Sequence, residues 1–556
     1  VTEPAFTTAA QLVRQRADDD RTGLVFESAS WTWRQVVGQA ERRGALLRAL
    51  RRPGPFHVGI LLENTDEYLF LLAGAALVGA VVVGINPTRR GDELAADIRM
   101  TDCQLVITDS TQRGLLDDLD IGIGPERVLT TDGDEYRDRL AAITDPGAGA
   151  GAGAGPEPAP DDLYLLIFTS GSTAGPKAVR MTQGRAARSA ARIGFSHDDV
   201  LYSAMPLFHG NALSAAVLPA FSSGATLVLR RRFSASSFLP DIRATGATFF
   251  NTVGRAISYI VATPPTEHDR DHQLRYVLGP ETSAPDKAEF TRRFGVPLVE
   301  GYGSSENAVV LKPVADSRPG ALGRASEGDD VAVVDPDTAE ERPRAIFDGN
   351  GRLTNAGEAI GEIVGRRALS KFEGYYNNPV ADAERTRNGW YWSGDLGYRD
   401  EEGIFYFAGR TGDWLRVDSE NFAAAPLERI LGRMDGVSGV AVYAVPDSRT
   451  GDQVMAALEF DPGASFDPAA FTAFLAAQPD LGTKWVPRYV RVVRSLPVTA
   501  TNKVDKKPLR AEGWETSDPV WHRPGRSDTY VPFGSADRTG LRDEFVANGR
   551  ADLLGG

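Results

Sequence analysis

The chain has a single cysteine, Cys103, in 556 residues. That excludes internal disulfides and cysteine metal clusters and fits a reducing cytoplasm. Basic residues are in deficit: 61 Lys and Arg against 75 Asp and Glu leave a net charge of −14. Such a balance argues against nucleic-acid binding and against a broad basic membrane-binding face, though an acidic protein can still carry a basic pocket for an anionic ligand. The N-terminal stretch VTEPAFTTAAQLVRQR lacks the apolar core of a signal peptide, so a cytoplasmic protein is expected, with membrane contact at most peripheral. Long uncharged runs are scarce too. Residues 68–85 (YLFLLAGAALVGAVVVGI) form the one stretch at the lower edge of a membrane span. Its glycines, its valine-rich end and the Asn86-Pro87 turn after it suit a buried helix–strand pair instead, and no transmembrane segment is expected.

What is present is globular. Apolar residues make up 42% and charged residues 24%, and the length calls for two or more domains. Residues 26–51 read as a strand pair, a turn and a helix; 57–62 and 104–108 read as buried strands. Strands alternating with helices imply an α/β fold with a mostly parallel sheet covered on both faces. The low-complexity run 147–160 (GAGAGAGAGPEPAP) cannot build a core and reads as a flexible surface loop within one domain.

The chemistry starts at residues 162–179 (DLYLLIFTSGSTAGPKAV). A buried strand breaks into a loop carrying Thr169, Ser170, Gly171, Ser172, Thr173, Gly175, Pro176 and Lys177. Glycines let successive N–H groups converge on an anion, and hydroxyls with a lysine add donors: the makings of a phosphate cradle. It is not a Walker loop, because Gly171 and Gly175 are too close, Ala178 replaces the hydroxyl, and Pro176 blocks entry into a helix. On its own, a Gly/Ser surface loop fits as well. Further along, Tyr302 lies between Gly301 and Gly303, a backbone a flat ring could approach, and Glu306 offers a hard oxygen ligand suited to magnesium. WYWSGDL (390–396) carries Asp395, a carboxylate able to accept both hydroxyls of a ribose. Arg410 could bridge ribose and phosphate, and Lys503 sits on a loop near the C-terminus. His209 follows an MPLF run. His268 and His272 have the spacing of one helix face, but their charged neighbourhood (EHDRDH) favours a solvated turn over a metal site.

Together and in this order, these segments resemble the adenylate-forming superfamily: acyl-CoA synthetases, luciferases and peptide-synthetase adenylation domains. The loop resembles [YF]TSG[ST]T-G-x-PK with Ala174-Gly175 swapped. Residues 301–306 resemble G-Y-G-x-T-E with Ser305 for threonine, 390–396 resemble [WY]-x-[ST]-G-D-[LV], and 497–503 resemble P-x-T-x-[ST]-G-K with Asn502 for glycine. Residues 250–255, 274–279, 410–413 and 517–519 are similar to the fatty-acid-transport-protein and very-long-chain acyl-CoA synthetase branch, whose bacterial relatives include ligases for fatty acids and for steroid side-chain carboxylates. Other departures are Gln183, where many relatives have histidine, Gly412 at the hinge, and Ser419 where CoA-forming relatives have glycine, which bears on the CoA channel.

The resemblance implies a large N-terminal adenylation domain of α/β subdomains (1–410) and a small mobile α+β C-terminal domain (411–556). The implied activity is an AMP-forming acyl-CoA synthetase. A carboxylate attacks the α-phosphate of Mg·ATP, and CoA then displaces AMP from the acyl-adenylate. A long-chain or very-long-chain fatty acid is the first reading and a steroid side-chain acid the alternative. A non-catalytic lipid-uptake protein would not need the full residue set. By resemblance, Thr169, Ser170, Gly171, Ser172, Thr173 and Lys177 wrap the β- and γ-phosphates. Tyr302, with Gly303 and Ser305, faces adenine, along which Gly279, Pro280 and Glu281 run. Glu306 and Thr169 hold Mg2+, Asp395 and Arg410 bind ribose, His209 lies near the acyl pocket, and Lys503 contacts the reacting carboxylate and α-phosphate.

Overall fold

The structure is a computed structural model that describes residues 6–144, 157–169, 177–280, 282, 284–314, 318, 320–410, 414–417, 420–448, 452–478, 481, 485–499, 503–525, 527 and 529–554. The Gly/Ala run up to residue 156, the loop residues Ser170, Gly171, Ser172 and Thr173, Glu281, the hinge residues 411–413 and Ser419 lie outside the described residues, as does the side chain of Arg410. The chain divides into two compact units, one of residues 1–308 with 370–384 and one of 309–369 with 385–556.

The first unit begins with α1 (Ala9–Arg14), the antiparallel pair β1 (Thr22–Phe26) and β2 (Ala29–Thr32), and α2 (Trp33–Leu50). Then come β3 (His57–Leu61), α3 (Asp66–Val78), β4 (Val81–Gly84), α4 (Gly91–Met100), β5 (Cys103–Thr108) and β6 (Val128–Thr130). After these follow β7 (Leu163–Thr169), β8 (Lys177–Thr182), β9 (Val200–Ser203), β10 (Thr226–Leu229), β11 (Phe249–Asn251), β12 (Tyr276–Leu278), β13 (Leu298–Val299) and the short β14 (Tyr302–Gly303). Of these, β1 to β13 form a six-stranded sheet, β6-β5-β3-β4-β7-β8, and a seven-stranded one, β13-β12-β11-β9-β10-β1-β2. All neighbours are parallel except β7 with β8 and β1 with β2. Strands before and after the Gly/Ala run thus share one sheet, as the sequence suggested.

The apolar run 68–85 is a buried helix–strand pair. Thr65 caps α3 by accepting from the Tyr68 N–H, Asp66 and Glu67 fill its first turn, and Gly79 ends it in the left-handed region at φ 68°. The helix is apolar all round because it is covered all round. At Gly74 it meets α2 so closely that an added Cβ would lie 2.6 Å from the Ala40 carbonyl oxygen. Arg43 of α2 donates to Glu67 at 2.5 Å. No helix among the described residues is long and apolar enough to cross a membrane.

The second unit is antiparallel. Its strands are β15 (Val310–Lys312), β16 (Ala321–Ala325), β17 (Val331–Val334), β18 (Gly361–Gly365), β19 (Tyr391–Arg399) and β20 (Ile404–Arg410), in the order β15-β16-β20-β19-β18-β17. There follow the hairpin β21 (Trp414–Val417) and β22 (Glu420–Ala423), then a five-stranded sheet of β23 (Val437–Pro446), β24 (Asp452–Phe460), β25 (Tyr489–Val493), β26 (Val520–His522) and β27 (Val531–Pro532). The described elements are thus mostly parallel α/β in the first unit and largely antiparallel sheet with flanking helices in the second.

One buried acid makes the first unit sensitive to pH. Asp97 on α4 has no exposed surface, and Arg89 Nε lies 2.8 Å from its Oδ2. Burial outweighs that attraction and lifts the carboxyl from 3.8 to about 7. An acid harder to ionise when folded than when unfolded loses stability as pH rises through that window, and the loss is constant above it. Asp97→Asn should therefore gain on the wild type by up to roughly 1.4 kcal/mol per pH unit between about pH 4 and 7. Urea denaturation at several pH values measures this, and parallel pH profiles would refute it.

Candidate active site

In parallel sheets the loops at the carboxyl ends of the strands gather the binding groups, and the first unit follows that rule. Thr169 ends β7, the segment up to His209 follows β9, Gly279 and Pro280 follow β12, and residues 300–306 follow β13. The segment before His209 is held by Asn64, which is buried. Its Nδ2 donates to the carbonyls of Met205 (2.9 Å) and Arg230 (3.0 Å), and its Oδ1 accepts from the Leu207 N–H (2.8 Å). The His209 ring packs 4.6 Å from that of Phe208. The next residue brings two loops together: a Cβ added at Gly210 would lie 3.5 Å from Ser305 Oγ. Ser305 is fixed in turn through its carbonyl by Arg185, a buried residue that also donates to the Arg180 carbonyl at 2.7 Å.

Glu306 is 6% exposed, and its Oε1 accepts from the Tyr375 hydroxyl at 2.6 Å. Tyr375 lies on a segment laid antiparallel along β8. Val179 bridges to Tyr375, Arg180 N–H donates to the Gly374 carbonyl (3.1 Å), and Tyr376 N–H donates to the Ala178 carbonyl (2.8 Å). Glu373 accepts from both the N–H and the hydroxyl of Thr182 at 2.8 Å. Lys177, the last residue of the cradle motif, is buried beside Tyr375. Its Nζ lies 2.7 Å from Glu384 and 5.7 Å from the Tyr375 ring centre. Thr169 pairs with Lys177 across β7 and β8. Tyr302 is half-buried. Gly279 donates its N–H to the Val299 carbonyl at 3.1 Å, and Pro280 accepts from the Gly254 N–H at 2.9 Å.

In the second unit Asp395 and Arg410 are opposed in the β19–β20 ladder. Asp395 is 6% exposed, and its N–H donates to Ser393 Oγ at 3.1 Å. The bend before it needs glycine: Gly394 has φ 72°, and a Cβ there would lie 2.1 Å from the Arg385 guanidinium. Its N–H donates to the buried Glu362 carboxylate at 2.8 Å. Burial raises the Glu362 pKa, while the Gly394 N–H and the charges of Arg387 and Arg385 hold it down. Lys503 closes a tight turn: Thr499 N–H donates to its carbonyl (2.7 Å), its own N–H donates to Thr499 Oγ1 (3.2 Å), and Val498 bridges to Val504. Lys506 is structural, paired with Glu428 at 2.8 Å.

Two sequence features resolve into structure. Gln183 is buried between the Ala10 N–H (3.1 Å) and the Ala76 carbonyl (3.2 Å) and ties α1 to α3. His268 and His272 lie on a turn, the first beside Asp271 (2.8 Å) and the second against the Phe294 carbonyl (3.2 Å). Among the described residues no three His, Cys, Asp or Glu side chains group as metal ligands. Sequence reasoning missed Tyr375, Glu384 and Glu362. An acid inside an otherwise apolar strand (IGEIVG) was the one available signal, for Glu362.

The first unit thus carries a buried lysine at the start of β8 and a buried carboxylate after β13, and the second unit, taken by itself, carries a buried aspartate on β19. The chain belongs to the AMP-binding enzyme family, whose description matches residues 11–376, with the AMP-binding enzyme C-terminal domain at 426–503. It is 51% identical over 561 residues to steroid-22-oyl-CoA synthetase of Rhodococcus jostii, covering 99% of both chains. It is 42% identical over 523 residues to a medium/long-chain-fatty-acid–CoA ligase of Mycobacterium tuberculosis, covering 93% of this chain and 99% of that one. Among solved structures, ATP-bound MatB from Rhodopseudomonas palustris shares the fold at TM-score 0.78 and 24% identity, over 90% of this chain and 98% of that one. The class is thus acyl-CoA ligase, with an acid, ATP and CoA as substrates.

Glu362→Ala removes the carboxylate that accepts from the buried Gly394 N–H and should cost about 1–3 kcal/mol. Glu362→Gln retains an acceptor oxygen and should cost less. Urea denaturation compares the two, and equal losses would exclude this role.

Proposed function

We propose that this ligase activates the side-chain carboxylate of a steroid, forming an acyl-adenylate and then the CoA thioester. The single observation carrying this is 51% identity over 99% of both chains to a steroid-22-oyl-CoA synthetase. Medium- or long-chain fatty acids are the second reading, favoured by the 42% identity to a fatty-acid ligase and by the branch-specific segments of the sequence. Incubating the protein with labelled pyrophosphate, ATP and a panel of steroid side-chain, short, medium and long-chain acids tests both. Exchange should be fastest with the steroid acids. Fastest exchange with a straight-chain acid would select the second reading, and none with any acid would remove the ligase assignment.

The residues divide the work as positioning and charge stabilisation, since the chemistry needs little covalent help. Thr169 and Lys177, with the loop between them, hold the leaving pyrophosphate. Tyr302 lies on adenine with Gly279 and Pro280 along its edge, Asp395 and Arg410 take the ribose, and His209 lies beside the acid. Magnesium suits the donor set: Glu306 supplies a buried carboxylate and Thr169 a hydroxyl, both hard oxygens that leave remaining positions to phosphate and water. When bound, it neutralises charge on the phosphates.

Lys503 brings a cation to the acid and the α-phosphate for adenylation only, on a C-terminal domain that turns away for thioester formation. Lys503→Ala should slow adenylation by ~10²–10³-fold, the scale for removing a donor from developing charge. Thioester formation from supplied acyl-adenylate should persist; equal loss in both half-reactions would rule out the two-conformation scheme.

A further inference from the structure

The structure assigns a positioning role to Tyr375, resting on the reading of Glu306 as the metal ligand: its hydroxyl sets the carboxylate that receives the metal bound to the nucleotide. Tyr375 is 3% exposed, so its hydroxyl needs an internal partner, and that partner is Glu306 Oε1 at 2.6 Å. This is the short, strong kind of bond a neutral donor makes to a carboxylate. It fixes the rotation of the carboxylate and commits one lone pair of Oε1, which limits the directions from which a cation can be met.

The backbone makes the arrangement rigid. Tyr375 bridges to Val179 and its N–H donates to Asp382 Oδ1 at 2.8 Å. Its ring packs at 5.4 Å against Phe372 and lies 5.7 Å from Lys177 Nζ. One aromatic side chain therefore touches both the cradle lysine and the buried acid, which are 129 positions apart in the chain. Its ring face meets the cation and its hydroxyl meets the anion, so the two groups keep a fixed separation. A ligand presenting phosphate to Lys177 and a divalent cation to Glu306 requires such a fixed separation.

Tyr375→Phe tests this, since it keeps the ring and removes only the hydroxyl. Binding of the non-reacting analogue adenosine α,β-methylene triphosphate to the full chain is measured by calorimetry with Mg2+ and with EDTA. Tyr375→Phe should lose about tenfold in affinity with Mg2+, the lower end for a hydrogen bond to a charged group, and nothing with EDTA. A merely structural role would weaken both. Glu306→Gln serves as reference, and the double variant should bind no more weakly than Glu306→Gln alone. If Glu306→Gln loses the metal-dependent affinity and Tyr375→Phe keeps it, the positioning role is overturned while the metal reading stands. If Glu306→Gln keeps it too, the metal reading fails and the role of Tyr375 with it.

Discussion

A lysine side chain buried to 5% exposure cannot be left without an anion, and that constraint organises the first unit around β8. Lys177 ends a loop and opens the strand, so its charge is carried into the interior by the fold itself. The neutralising carboxylate, Glu384, comes from 207 residues further along the chain. Bringing it there requires the segment from Glu373 onward to lie along the open edge of β8. That edge offers unpaired N–H and C=O groups which the segment satisfies at Arg180, Ala178 and Thr182. The strand pairing, the ion pair and the Tyr375–Glu306 bond are thus consequences of one arrangement.

The same logic places support under the loops that carry the motif side chains. Asn64 replaces regular secondary structure for residues 205–207, taking up backbone groups that no strand pairs. Arg185 does so for Ser305, and Glu362 for Gly394. In each case a buried polar side chain holds the backbone of a loop, and the loop carries the group with chemical potential. Loops so held keep their geometry without the entropy cost of ordering on ligand arrival.

Much of this could be read from the residues, and the limits are physical. The alternation of strands and helices gave the α/β class, and the apolar run 68–85 was recognised as a helix–strand pair because glycine and valine punctuate it. Lys177, Glu306 and Asp395 could be singled out because each sits in a short motif of glycines and hydroxyls, and Lys503 because threonines precede it in a short loop. Tyr375 and Glu384 were not, since their contacts cross 69 and 207 positions of chain and no local pattern encodes such a pairing. Gln183 is a different case. It stands out in the sequence only as a departure from the histidine of many relatives, and its role is structural: both its amide groups are spent joining α1 to α3. Motifs report which residues are chemically equipped, whereas burial and partners decide what that equipment is used for.

The Lys177–Glu384 pair carries a consequence for ligand choice. The lysine is 5% exposed and the glutamate 48%, so the two ends of the bond differ in what separation costs. Glu384 can leave for water with little loss of solvation. Lys177 cannot, and would remain a desolvated charge without a counterion. A neutral ligand arriving at this point would impose that loss in full. An anion would take the place of the carboxylate, and since the lysine has already surrendered its hydration, the exchange adds no desolvation on its side. A phosphate oxygen, with more charge to offer than one carboxylate, gains from the same pre-paid state. The unequal solvent exposure of its two partners thus makes this ion pair costlier for a neutral ligand to displace than for an anion.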